Sequence, residues 1–200
     1  MLTDFDREHL LACEALVVGA SAGAIEALNQ LLPAVPASSR IPTLIVVHLP
    51  PNRPSLLPEV FAPRCLARVR EPEDKEPVTA GTIWFAPSNY HLLVEADRRF
   101  AFCTDLPVNF SRPSIDVLFE SAADVFGKTL CCLVLTGAND DGARGASSVR
   151  RQGGFVIVQD PQSAEAKAMP NAAIARANPQ IVAPLPEIAT LIGLLTRAVP

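Results

Sequence analysis

Short continuous apolar runs alternate along this chain with segments whose apolar residues recur every three or four positions. The runs at 15–20 (ALVVGA), 42–48 (PTLIVVH), 130–135 (LCCLVL) and 155–158 are apolar on successive residues, which predicts strands buried on both faces. Segments 23–32, 55–65, 114–126, 143–152, 170–177 and 187–198 read as helices, the first ended by Pro33. Within 114–126 the period is explicit: Ile115, Leu118, Phe119, Ala122 and Val125-Phe126 repeat at three and four. Short strands are expected at 67–70 and 180–183. The stretch 78–103 reads differently. GTIWFAP is followed by HLLVE, then by the polar turn Asp97-Arg98-Arg99 and the apolar 100–103, a pattern that predicts antiparallel hairpin strands. Buried strands separated by helices predict an α/β fold: a doubly wound three-layer domain with a mostly parallel sheet and an inserted antiparallel hairpin. No linker, repeat or low-complexity tract interrupts the chain despite its 19 prolines, so residues 1–200 read as one domain with 1–14 as an N-terminal extension.

Composition narrows the class. Seventeen basic against 21 acidic residues give a net charge of −4, without the concentrated basic face that nucleic acid requires. At 49% hydrophobic and 19% charged, the chain can bury a sizeable core. No apolar run approaches the roughly 18 residues of a membrane span, so no membrane insertion is expected. Asp4, Asp6 and Glu8 precede the faint cleavage-site likeness at Leu10–Cys13, and no apolar segment accompanies it, which argues against an export signal. Cysteines 13, 65, 103, 131 and 132 are odd in number and form no CxxC pair, as expected of reduced thiols in a cytoplasmic protein. Histidines 9, 48 and 91 show no ligand spacing, so neither a metal nor another cofactor is expected.

In a doubly wound sheet, ligands and reactive groups collect beyond the carboxyl ends of the strands. After the first run comes Gly19-Ala20-Ser21-Ala22-Gly23, after the second His48, and after the 130–135 run Thr136 to Gly142. The first has the form G-x-S-x-G, a sharp strand-to-helix turn that projects its serine, although a serine in this place can also serve only as a helix cap. A dinucleotide turn is disfavoured, because Ser21 stands where the second glycine should be and His48 where a ribose-binding carboxylate should be. A serine hydroxyl needs a base within reach, an imidazole suits that duty at neutral pH, and a carboxylate then holds the imidazole. Spacing offers both Asp140 and Asp141 for the last role, or for helix capping alone. The order Ser, His, Asp differs from that of α/β-hydrolases, chymotrypsin-like and subtilisin-like enzymes.

Six segments taken in order, VVGASAGAIEAL (17–28), VVHLPP (46–51), GTIWFAPSNYHL (81–92), SRPSIDVLFESAA (111–123), LTGANDDGARG (135–145) and QDPQSAEAKAMPNAAI (159–174), resemble the catalytic domain of CheB-type protein-glutamate methylesterases. The resemblance covers residues 15–185. It implies hydrolysis of glutamate γ-methyl esters on the cytoplasmic helices of chemoreceptors, in some members with glutamine deamidation. It implies a triad of Ser21, His48 and Asp141, so it is the resemblance that selects Asp141 over Asp140. It also implies an oxyanion hole of backbone amides near Ala22 and Ala138. Arg112, which opens the RPS motif, is the candidate for substrate binding, with Arg53 and Arg144 as further cations facing an acidic receptor. The family's x-G-G after the serine is Ala22-Gly23-Ala24 here, and its G-M-G-x-D-G loop is Gly137-Ala138-Asn139-Asp140-Asp141-Gly142, where a left-handed Asn139 would take the glycine's place. These departures keep two alternatives in view, a binding module of the same fold and a hydrolase of small esters. Family members usually carry an N-terminal receiver domain. Only 14 residues precede the first strand here, so the resemblance implies an enzyme that is ungated, is controlled by a separate receiver-domain protein, or serves another signalling system.

Overall fold

The structure, a computed structural model, describes residues 3–49 and 55–197; Arg53 lies outside them. In chain order the elements are α1 (Asp4–Ala12), β1 (Ala15–Ala20), α2 (Ala24–Leu31), β2 (Thr43–Val47), α3 (Leu57–Phe61), β3 (Arg68–Arg70), β4 (Thr82–Phe85), β5 (His91–Val94), β6 (Phe100–Cys103), α4 (Ile115–Phe126), β7 (Leu130–Val134), α5 (Ala143–Arg151), β8 (Phe155–Gln159), α6 (Ala168–Ala177), β9 (Ile181–Ala183) and α7 (Leu185–Thr196).

Seven strands form one sheet in the order β3-β4-β2-β1-β7-β8-β9, every pairing parallel. Because side chains alternate across a strand, each continuous apolar run feeds two cores at once. Leu16, Val18, Ile45, Cys131, Leu133 and Ile157 face one layer, where α1, α2, α3 and α7 contribute Leu10, Leu28, Phe61 and Ile188. Val17, Leu44, Val46, Cys132, Val134 and Val156 face the other, against Ile115, Leu118 and Phe119 of α4, Ala146 of α5 and Met169 of α6.

One sequence expectation needs correction. The GTIWF run is not part of the hairpin, since β4 pairs in parallel with both β2 and β3. Only β5 and β6 pair antiparallel, with His91 opposite Cys103, in a separate two-stranded sheet. Leu92, Val94 and Phe100 of that hairpin join Trp84 of β4 in the second core, so the hairpin covers a part of the sheet that a helix would otherwise cover. The N-terminal segment is also more ordered than an extension. Thr3 and Asp6 form a reciprocal capping box on α1, Leu10 is buried in the first core, and the His9 ring bonds the Lys128 carbonyl.

This topology places the site. From β1 the chain passes to β2 and out to the edge strand β3, steps back to β4 between them, then crosses through the hairpin and α4 to β7 on the other flank of β1. The direction of winding therefore reverses between β1 and β7, where a crevice opens at the carboxyl edge.

Candidate active site at the carboxyl edge

Ser21 follows β1, His48 follows β2, and Thr136 to Gly142 follow β7, so three adjacent strands deliver these groups to one edge. The ladder continues past the strand ends and fixes their heights: the Ser21 amide donates to the Thr136 carbonyl at 2.9 Å, and the His48 amide to the Ala20 carbonyl at 3.2 Å. Gly23 makes the turn after Ser21 with φ +81°, a left-handed backbone that side chains rarely adopt, and α2 begins at once. Ser21 and His48 line one shallow concavity together with Gly23, Leu49 and Glu165. The Ser21 hydroxyl makes no hydrogen bond among the described residues. Neither do the backbone amides of the exposed residues Ala22 and Ala138.

The carboxylate end is built in the opposite manner. Asp141 is 0% exposed, and His48 Nε2 donates to its Oδ2 at 2.8 Å. Oδ2 also accepts from the Ile115 amide at 2.7 Å, while Oδ1 accepts from the Asp116 and Gly142 amides, Ser114 Oγ and Asn109 Nδ2 at 2.9 to 3.1 Å. Two of these donors are the first amides of α4, which carry the positive end of the helix dipole. Burial alone would raise the Asp141 pKa. The hydrogen bonds from His48 and from the Ile115 and Asp116 amides overcome it, so the carboxyl is held below its ordinary value and stays ionised.

Asp116 returns the favour across the helix pair. Its Oδ1 accepts from the Gly142 and Gly145 amides at 2.9 and 2.7 Å, capping α5 just as Asp141 caps α4. Burial raises the pKa of Asp116, and the neighbouring charge of Asp141 adds to that effect. Asn109 Nδ2 donates to both carboxylates at 3.1 Å, placing a neutral donor between two acids. Neither Asn109 nor Asp116 was singled out from the sequence. Asp116 lies in the SRPSID segment, but its role depends on contacts 26 and 29 residues away, which no local pattern reveals.

The remaining candidates are placed as follows. Arg112 Nη1 donates to the carbonyls of Thr104 and Asp105 at 2.7 and 3.0 Å, holding the loop after β6, and the residue lines a cavity of about 250 Å³ that His48 shares. Arg144 is paired with Glu120 at 2.8 Å and approaches Asp116 at 3.6 Å. Asp140 is exposed and its carbonyl accepts the Ala143 amide, so it starts α5 without touching His48. Asn139 is not left-handed; its Oδ1 instead accepts the Asp141 amide at 3.3 Å. Ala24 is buried as the first residue of α2. Among the described residues, no group of three His, Cys, Asp or Glu side chains gathers as a metal would need.

Fold and site together define a class: an α/β domain with a hydroxyl and a carboxylate-held imidazole, both half-buried, lining a concavity at the switch point of a parallel sheet. Comparison with known proteins makes the class specific. The CheB methylesterase family profile matches residues 16–192. A Leptospira interrogans protein is 43% identical over 178 residues, which is 89% of this chain and 92% of that one. The Trichodesmium erythraeum protein-glutamate methylesterase/protein-glutamine glutaminase is 37% identical over 84% of this chain, which spans 50% of that longer protein. The crystal structure of the Thermotoga maritima CheB methylesterase catalytic domain superposes with a TM-score of 0.86 at 29% identity, covering 91% of this chain and 98% of that one. The chain belongs to the CheB methylesterase family, whose members are carboxylic ester hydrolases.

Proposed function

We propose that this chain hydrolyses glutamate γ-methyl esters on the cytoplasmic helices of chemoreceptors, releasing glutamate and methanol, and that residues 1–200 act as one catalytic domain. The observation that carries this reading is the ionised, buried Asp141 holding His48 at 2.8 Å beside Ser21 in one concavity. With Nε2–H donating to Asp141, the tautomer leaves Nδ1 of His48 as the basic nitrogen. Ser21 Oγ attacks the ester carbonyl as His48 takes its proton. The tetrahedral oxyanion is stabilised by the Ala22 and Ala138 amides, each worth about 3–4 kcal/mol in such a site. Methanol leaves with the proton from His48, and water then cleaves the acyl-Ser21 ester by the same base. An amide substrate would lose ammonia in the acylation step and leave the same acyl-Ser21 ester for water to cleave, which fits the glutaminase part of the relatives' names.

Arg112 contributes by shaping the substrate cavity that it lines with His48. Regulation by a separate receiver-domain protein belongs to the same proposal. Among the described residues no helix is long and apolar enough to cross a membrane. The proposed substrate, a cytoplasmic receptor helix, places the enzyme in the cytoplasm. Methanol release from methylated receptor fragments tests the reading. Release by the wild type that disappears in Ser21→Ala supports it, and equal release by both rejects Ser21 as nucleophile.

A further inference from the structure

Val108 and Ser111 pair across a two-residue turn, each amide donating to the other's carbonyl at 3.1 and 2.9 Å. Between them Asn109 and Phe110 both have positive φ, 50° and 61°. That is the backbone of a tight primed hairpin turn, whose second place usually holds glycine because a side chain there is strained. Here it holds phenylalanine, and the residue is fully exposed. The turn is anchored directly to the proposed triad, since Asn109 Nδ2 bonds Asp141 and Asp116. Arg112 fastens the preceding loop by two carbonyls. A strained backbone in a rigid mount thus presents a large apolar side chain to water at the rim of the cavity that contains His48. Leu106 of the same loop is 84% exposed as well, and an apolar pair held out to water by a strained turn beside reactive groups points to contact with a partner rather than to folding.

We infer that Phe110 is a specificity residue, which anchors an apolar side chain of the protein substrate next to the scissile ester. The occupant is a polypeptide carrying an esterified glutamate with an apolar neighbour, because Phe110 lines the His48 cavity and at the same time stands fully exposed beside it. The inference rests on the methylesterase reading and deepens it, favouring a protein substrate over small esters.

The test compares wild type, Phe110→Asn and Phe110→Leu on methylated receptor fragments and on p-nitrophenyl acetate. Asparagine suits the left-handed backbone, so Phe110→Asn is expected to melt no lower than the wild type. It is expected to lose about tenfold in kcat/KM on the receptor fragment, mainly through KM, as for loss of one anchoring aromatic. The loss on the small ester is expected to be several-fold smaller, and Phe110→Leu to restore most of the receptor rate. An unchanged receptor rate in Phe110→Asn, or an equal loss on both substrates, overturns the inference. So does sedimentation showing that the variant merely dissociates a wild-type dimer. Failure of the wild type itself to release methanol rejects the methylesterase reading instead, which separates the two outcomes.

Discussion

Two turns flank the crevice, and they are built on opposite plans. The turn after β1 holds Ser21 with a hydroxyl bonded to nothing among the described residues, followed by the exposed Ala22, whose amide is equally without a partner among them. The loop after β7 holds Asp141 under six donors from three segments of chain. The difference follows from the role proposed for each group. A nucleophile has to be reached by substrate, so its surroundings stay unfilled. A carboxylate that orients an imidazole has to remain ionised and still, and in a dry interior only dense hydrogen bonding achieves that. Substitutions on the open side should therefore change chemistry and spare the fold, whereas those on the crowded side should damage both.

Ser21→Ala separates the two most sharply. Its turnover is expected to fall by a factor on the order of 10⁴ to 10⁶, with an unchanged melting temperature. Asp141→Asn is expected to lose about 10⁴ in kcat and also about 2–4 kcal/mol of stability, because an amide cannot accept from all those donors. The same variant makes a pH prediction. A carboxyl held below its unfolded value contributes stability that is present above that value, near pH 4, and is lost as pH falls through the folded value. Melting curves at descending pH should therefore show a smaller acid loss in Asp141→Asn than in the wild type. Asp116 has the opposite sign. Its raised pKa makes its own contribution decline as pH rises, so Asp116→Asn should steepen rather than flatten the net acid loss.

Smaller effects sharpen the contrast within the crowded loop. Gly142 has φ +93°, and a methyl there would lie 2.7 Å from Ile115 Cγ2, so Gly142→Ala is expected to cost about 2 kcal/mol and to displace Asp141. Chemical denaturation and turnover should fall together in that variant. Asn139→Ala removes one long bond at 3.3 Å, with an expected loss of about 0.5 kcal/mol and little change in rate.

The sequence made much of this visible, for definite reasons. Strands buried on both faces write continuous apolar runs, so β1, β2, β7 and β8 could be read directly, and the polar residue following each run marked the edge where chemistry would gather. The GTIWF run misled because a short connection to HLLV looks like a hairpin. Parallel pairing with β2, some 40 residues earlier in the chain, is a tertiary fact that a local pattern does not carry. The capping box at Thr3 and Asp6 was there to be read, in the spacing of a short polar residue and an acid before an apolar turn. The partners of Asp141 were not. Asn109, Ser114 and Asp116 are ordinary polar residues whose function exists only once α4 points its first amides at the β7 loop.

The most direct test of the open turn is covalent labelling with a serine-reactive phosphonate, located by peptide mass spectrometry. A single adduct on Ser21 in the wild type, lost in His48→Ala while that variant stays folded, is the expected result. An adduct elsewhere, or none on Ser21 while methanol release continues, would contradict the assignment of Ser21 as nucleophile and His48 as its base.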